Sequence, residues 1–82
     1  MNFKQIMKIT KAKKKKYTQY HKNGTLWAKG FLLNRKMEGY WEWFRKDGAK
    51  MREGYFKNEK QVGKWAAFDK NGRLVKLTDF DT

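Results

Sequence analysis

The chain has 82 residues, with 21 Lys and Arg against 8 Asp and Glu, a formal charge of +13. That length suits one domain with a thin core. It contains no Cys and no Pro, and its residues include no Ser, which excludes disulfide staples, thiolate metal sites and the commonest hydroxyl nucleophile.

Residues 1–16 form a basic N-terminal segment with seven lysines and no acid. Phe3, Ile6, Met7 and Thr10 fit a helical stripe, and Phe3 to Ile9 equally fits a short strand. Three readings of this segment stand open. It caps the end of the fold as a helix or strand, it is a disordered arm, or it is an amphipathic basic element for an anionic membrane or nucleic acid. No apolar run follows it, so it is not read as a secretory signal. No stretch approaches the roughly 20 apolar residues of a membrane span, and the expected compartment is the cytoplasm.

Residues 17–82 form the second unit, organised by a gapless step of 24 residues. Gly24, Gly48 and Gly72 keep the step, as do Tyr20, Phe44 and Phe68, and Asn23, Asp47 and Asn71. Gly30/Gly54, Asn34/Asn58, Lys36/Lys60, Gly39/Gly63 and Trp41/Trp65 follow it too, and Tyr17 falls in phase with the two tryptophans. Each unit holds two turn signals. Asn23-Gly24, Asp47-Gly48 and Asn71-Gly72 suit a type I′ turn, and Asn34-Arg35 and Asn58-Glu59 mark looser turns. The runs between them are rich in aromatic and aliphatic residues and short enough for strands, at about 16–21, 25–33, 38–45, 49–57, 62–69 and 73–80. The expected fold is therefore all-β, a single-layer antiparallel meander of stacked β-hairpins.

The segments from Gly30 to Gly48 and from Gly54 to Gly72 resemble MORN-type repeats, in particular the bacterial variant with the pattern G-x-y-x-N-G-K-x-x-G-x-W-x-x-Y/F-x-x-N-G. The resemblance covers about residues 17–77. It departs where the second turn's Asn-Gly becomes Asn34-Arg35 and Asn58-Glu59. It implies stacked hairpins in one elongated sheet.

Tyr17, Trp41 and Trp65 should line up as one column and Tyr20, Phe44 and Phe68 as another. Three residues separate the columns, so they lie on opposite faces or a bulge intervenes. Gly30 and Gly54 leave room for a ring lying flat from the neighbouring strand. Trp27 reads as core, because its counterparts Met51 and Val75 are apolar. Trp43 differs, with counterparts Gln19 and Ala67, and Tyr40 has the counterparts Lys16 and Lys64. Tyr40 and Trp43, with the adjacent Arg45 and Lys46, are thus the candidate contact surface. Lys22, Lys46 and Lys70 solvate turns, and Arg35, Lys36, Lys60 and Lys64 guard the other end against strand addition.

Catalysis has little support. His21 reads as a solvated surface residue, and the carboxylates are scattered. A flat sheet offers no evident pocket. No metal or cofactor is expected. Two functional readings follow. The first is a non-catalytic protein-interaction module, whose partner should be acidic or whose contact should be mostly apolar and centred near Trp43 and Tyr40. The resemblance adds that such proteins are often grouped with antitoxin or immunity proteins. The second is polyanion binding to RNA, DNA or anionic phospholipid through Lys11, Lys13, Lys14, Lys15, Lys16, Arg35 and Lys36, by counterion release. The open sheet edges, at residues 16–21 and 73–80, also suit a homodimer.

Overall fold

Tight turns every dozen residues leave each strand beside the one before it, and the sheet follows from that. The computed structural model describes residues 13–81. Among these residues six strands are present: β1 (Lys15–Tyr20), β2 (Leu26–Leu33), β3 (Lys36–Phe44), β4 (Lys50–Lys57), β5 (Lys60–Phe68) and β6 (Leu74–Asp79). They pair antiparallel in chain order as one open sheet. The molecule measures 57 × 36 × 12 Å, so the sheet is a single layer. The described residues contain no helix, and none is therefore long and apolar enough to cross a membrane. The expected all-β meander is what the chain forms. The expected N-terminal cap falls on residues outside the described range, except that Lys15 and Lys16 of the basic segment open β1.

The type I′ geometry expected at the Asn-Gly and Asp-Gly turns falls at the looser ones instead. In the Lys-Asn-Gly loop, Gly24 N–H donates to His21 O at 2.9 Å and His21 N–H to Thr25 O at 2.8 Å. Within that loop only Gly24 has positive φ, at 92°. This is a three-residue loop in which a type I turn ends on a left-handed glycine, not the expected type I′. Arg45–Ala49 and Asp69–Arg73 close in the same way. The left-handed pair of a type I′ turn sits instead at Asn34 (φ 52°) and Arg35 (69°), and at Asn58 (53°) and Glu59 (72°).

Bulges recur at the repeat step. Trp43 pairs with Arg52 and Phe44 with Lys50, which leaves Met51 as the extra residue. Trp27 and Val75 are the extra residues at the same place in β2 and β6. Trp27 is therefore not core as expected: it lies beside the His21 ring, 5.9 Å between centroids, and remains 39% exposed. Read with strand alternation, the register puts Tyr17, Trp41 and Trp65 on one face, here the indole face, and Tyr20, Phe44 and Phe68 on the other. The first half of the expected alternative holds, since the extra residue Met51 lies on β4 and not between Trp41 and Phe44.

The core is a row of rings rather than a second layer. The Trp41 indole lies flat over Gly30, where a Cβ would come within 2.1 Å of it, and Trp65 covers Gly54 at 2.0 Å. Each Nε1–H donates to a carbonyl of the strand below at 3.1 Å, Trp41 to Phe31 and Trp65 to Tyr55. Trp43 fills the gap between them, with centroids 5.7 Å from Trp41 and 5.5 Å from Trp65. Phe56 meets Trp65 edge-on at 5.0 Å, and the Arg52 guanidinium covers Trp43 at 4.5 Å. Among the described residues, Trp41, Trp43, Trp65 and Ala28 are the buried apolar ones.

Candidate functional site

One corner of the sheet collects the basic candidates. The first half of β1 runs antiparallel to the last half of β2, with Lys15 opposite Leu32 and Lys16 opposite Phe31. The β2–β3 turn then folds back beside them. Lys13, Lys15, Lys16, Tyr17, Leu32, Asn34 and Arg35 line one groove there. Arg35 occupies a left-handed position that favours Gly, and there it carries a guanidinium into the turn. Lys14 projects over the Phe31 ring, its Nζ 5.2 Å from the centroid, on the face opposite the indoles. Lys36 follows Arg35 and pairs with Leu33. No carboxylate lines this groove. Of the expected polyanion-binding set, only Lys11 lies outside the described residues.

The four residues expected to share a contact surface are dispersed. Trp43 is not an exposed ring: it is 7% exposed and packed in the indole row. Its place is set by Ala28 opposite it on β2 and Arg52 opposite it on β4. Tyr40 lies half-buried on the other face, where its hydroxyl donates to Glu53 Oε1 at 2.6 Å. The bulge at Met51 turns Lys50 to that face, where its Nζ reaches Glu42 at 2.6 Å and Glu53 at 2.7 Å. Lys29 joins the same network at 3.6 Å from Glu42. Burial and the hydrogen bond to Glu53 push the Tyr40 hydroxyl up to about 12. Hydrogen bonds to Glu42 and Glu53 raise Lys50, and those from Lys50 and Tyr40 lower Glu53.

Arg45 is structural in part, since one terminal N–H donates to Phe68 O at 2.9 Å. His21 does the same one unit earlier. It is half-buried, and its Nε2 lies 2.9 Å from Phe44 O, which makes that nitrogen the donor. The expectation of a solvated His21 is thereby corrected. The two residues occupy one repeat position and each ties its turn to the next. Lys46 remains exposed in its turn, and its carbonyl accepts the Thr25 hydroxyl at 3.0 Å.

The strand carboxylates, unlike the cations, segregate to one face. The strands hold four carboxylates, Glu38, Glu42, Glu53 and Asp79. Register places all four opposite the indole face. The strand cations on the indole face are Lys15, Arg52 and Lys76. Among the described residues no three His, Asp or Glu side chains are grouped to hold a metal ion. No protein-family model matches the chain, and no curated protein or solved structure matches it.

Proposed function

We propose that this protein is a non-catalytic nucleic-acid-binding module of MORN-type hairpin repeats that takes phosphates into the basic corner groove. The observation that supports it is the gathering of Lys13, Lys15, Lys16 and Arg35 into one groove with no carboxylate among its walls. Cations without acidic neighbours attract phosphates and release their counterions, so affinity becomes salt-dependent and largely indifferent to sequence. With four contacts to a single strand, log K should fall against log salt with a slope of about −3. Between 50 and 200 mM salt that is a loss of roughly 50-fold.

Fluorescence anisotropy of a labelled single-stranded oligonucleotide over that salt range tests the reading. Replacing Lys13 and Lys15 by Ala and Arg35 by Gly should make the slope shallower by about 2. Binding that ignores salt, or survives the triple substitution unchanged, refutes it.

The protein-interaction reading keeps one supporting observation, an exposed apolar edge. Leu74, Val75 and Leu77 on the unpaired β6 edge are 51, 61 and 63% exposed. An acidic protein that co-elutes at a salt concentration stripping all nucleic acid transfers the assignment to that edge.

A further inference from the structure

The repeat supplies a place shaped for a ring and leaves it without one. In the middle unit, Trp41, Phe56 and Arg52 enclose the Trp43 indole, with centroid distances of 5.7, 6.1 and 4.5 Å. The residues 24 positions on are Trp65, Phe80 and Lys76, and the counterpart of Trp43 is Ala67. Trp65 and Phe80 meet edge-on at 6.2 Å, as Trp41 and Phe56 do at 6.1 Å. Lys76 stands directly opposite Ala67, as Arg52 stands opposite Trp43. Trp41, Phe56 and Arg52 thus have counterparts while the filling is a methyl group; the fourth neighbour of Trp43, Trp65 at 5.5 Å, has none among the described residues. A groove opens there, lined by Arg52, Gln61, Trp65, Ala67, Lys76 and Phe80. The first unit offers no equivalent, because Leu32 and Ala28 stand where Phe56 and Arg52 would.

The occupant is set by chemistry. A flat π-system fits beside Trp65 and Phe80 as Trp43 fits beside Trp41 and Phe56. The 42% exposed Phe80 leaves the entrance open. Arg52 from one side and Lys76 from the other bring positive charge over and beside such a ring. No carboxylate lines the groove. An aromatic ligand that carries negative charge satisfies all of these.

We infer that the groove over Ala67 receives one unpaired base of a single-stranded nucleic acid, its flanking phosphates drawn to Arg52 and Lys76. This rests on the proposed binding of nucleic acid at the basic corner and names its form as single-stranded. A paired base is sealed in its stack and cannot enter such a slot. The two grooves lie on one face that carries no strand carboxylate, about four interstrand spacings or 19 Å apart across the sheet and about four residues or 13 Å apart along it. One strand can span both.

The test compares a 12-mer oligothymidylate with a 12-mer of abasic units carrying the same phosphates, and with a 12-base-pair duplex. The full chain should bind the oligothymidylate about tenfold more tightly than the abasic strand, as one base–aromatic stack predicts. Ala67→Trp supplies the missing indole from the chain itself. It should abolish that preference and leave abasic binding unchanged. Lys76→Ala alters an exposed side chain and keeps the test open if Ala67→Trp misfolds; it should cut the preference several-fold. Equal binding of the thymidylate and abasic strands overturns the base slot while the corner reading stands. Failure of every strand to bind overturns both. Capture on phosphatidylglycerol vesicles, with no gain from bases, overturns the base slot in favour of a lipid surface.

Discussion

Gly54→Ala should be among the most damaging single changes available in this sheet, though it adds only one methyl group. The backbone at Gly54 does not have the positive φ that would forbid alanine. The obstacle is the Trp65 ring, which a Cβ would approach to 2.0 Å at Cδ2. The tryptophan must therefore leave the position in which it is 4% exposed and lose its hydrogen bond to Tyr55 O. Losing a buried aromatic costs about 3–5 kcal/mol and the bond about 1. Partial re-docking of the ring brings the expectation to about 3 kcal/mol. For 82 residues total stability is about 4–12 kcal/mol. Urea unfolding followed by tryptophan fluorescence reads the loss, as a midpoint lowered by roughly 2–3 M at a slope near 1 kcal/mol/M. Trp65→Ala should cost a similar amount, and the double substitution little more than either alone, a coupling of about 2 kcal/mol or more. Gly48→Ala is the contrast: nothing lies within 4 Å of its Cβ, but φ is +94°, so it reports backbone strain only, about 1–2 kcal/mol. A Gly54→Ala midpoint indistinguishable from wild type would refute the ring-on-glycine account.

Two further outcomes follow from the turns and from the tyrosine network. Arg35→Gly and Glu59→Gly should each stabilise the fold by about 0.5–1 kcal/mol, because Gly relieves a left-handed L-residue and gives back only part in chain entropy; their urea midpoints check this, and a decrease for both contradicts the type I′ geometry. The Tyr40 hydroxyl is raised from 10.0 to about 12, so its neutral hydrogen-bonded form adds stability that is whole below pH 10 and fades as pH rises toward 12. The lowered Glu53 adds stability above its ordinary value of 4.5 that is lost as pH falls below it. Thermal melts from pH 3 to 12 should fall at both ends, and Tyr40→Phe should flatten the alkaline limb; an unchanged limb in that variant removes the network's role.

The step of 24 carried most of the architecture, because a residue that covers its neighbour in one unit does so in the next. Strand order, the two aromatic columns and the glycines under Trp41 and Trp65 all follow from it. What breaks the repeat was harder to read. Trp43 looked like a surface ring because its counterparts are small or polar. Its burial comes from lying between two in-phase indoles, with Ala28 beside it leaving the space. Trp27 looked like core because its counterparts are apolar, but a bulge residue has no fixed place in the pleat. Asn-Gly signalled a turn correctly and its type wrongly, since loop length decides which residues go left-handed. The tie from His21 to Phe44 O and from Arg45 to Phe68 O joins residues 23 apart. His and Arg share little but a donor, and that shared role was the one signal that marked the position. For the corner groove, lysine density singled out residues 13–16, and the sheet brings Lys13, Lys15 and Lys16 beside Arg35.

The order of strands in the sheet is the order in the chain. Closing each neighbouring pair therefore requires only a short loop, whose entropy penalty is small. Folding can begin at any hairpin and spread outward by zipping, as expected of a chain dominated by local contacts. Growth by duplication of a 24-residue cassette would preserve every existing seam and add one new one, so the length of such an array is open to change without redesign of what is already there.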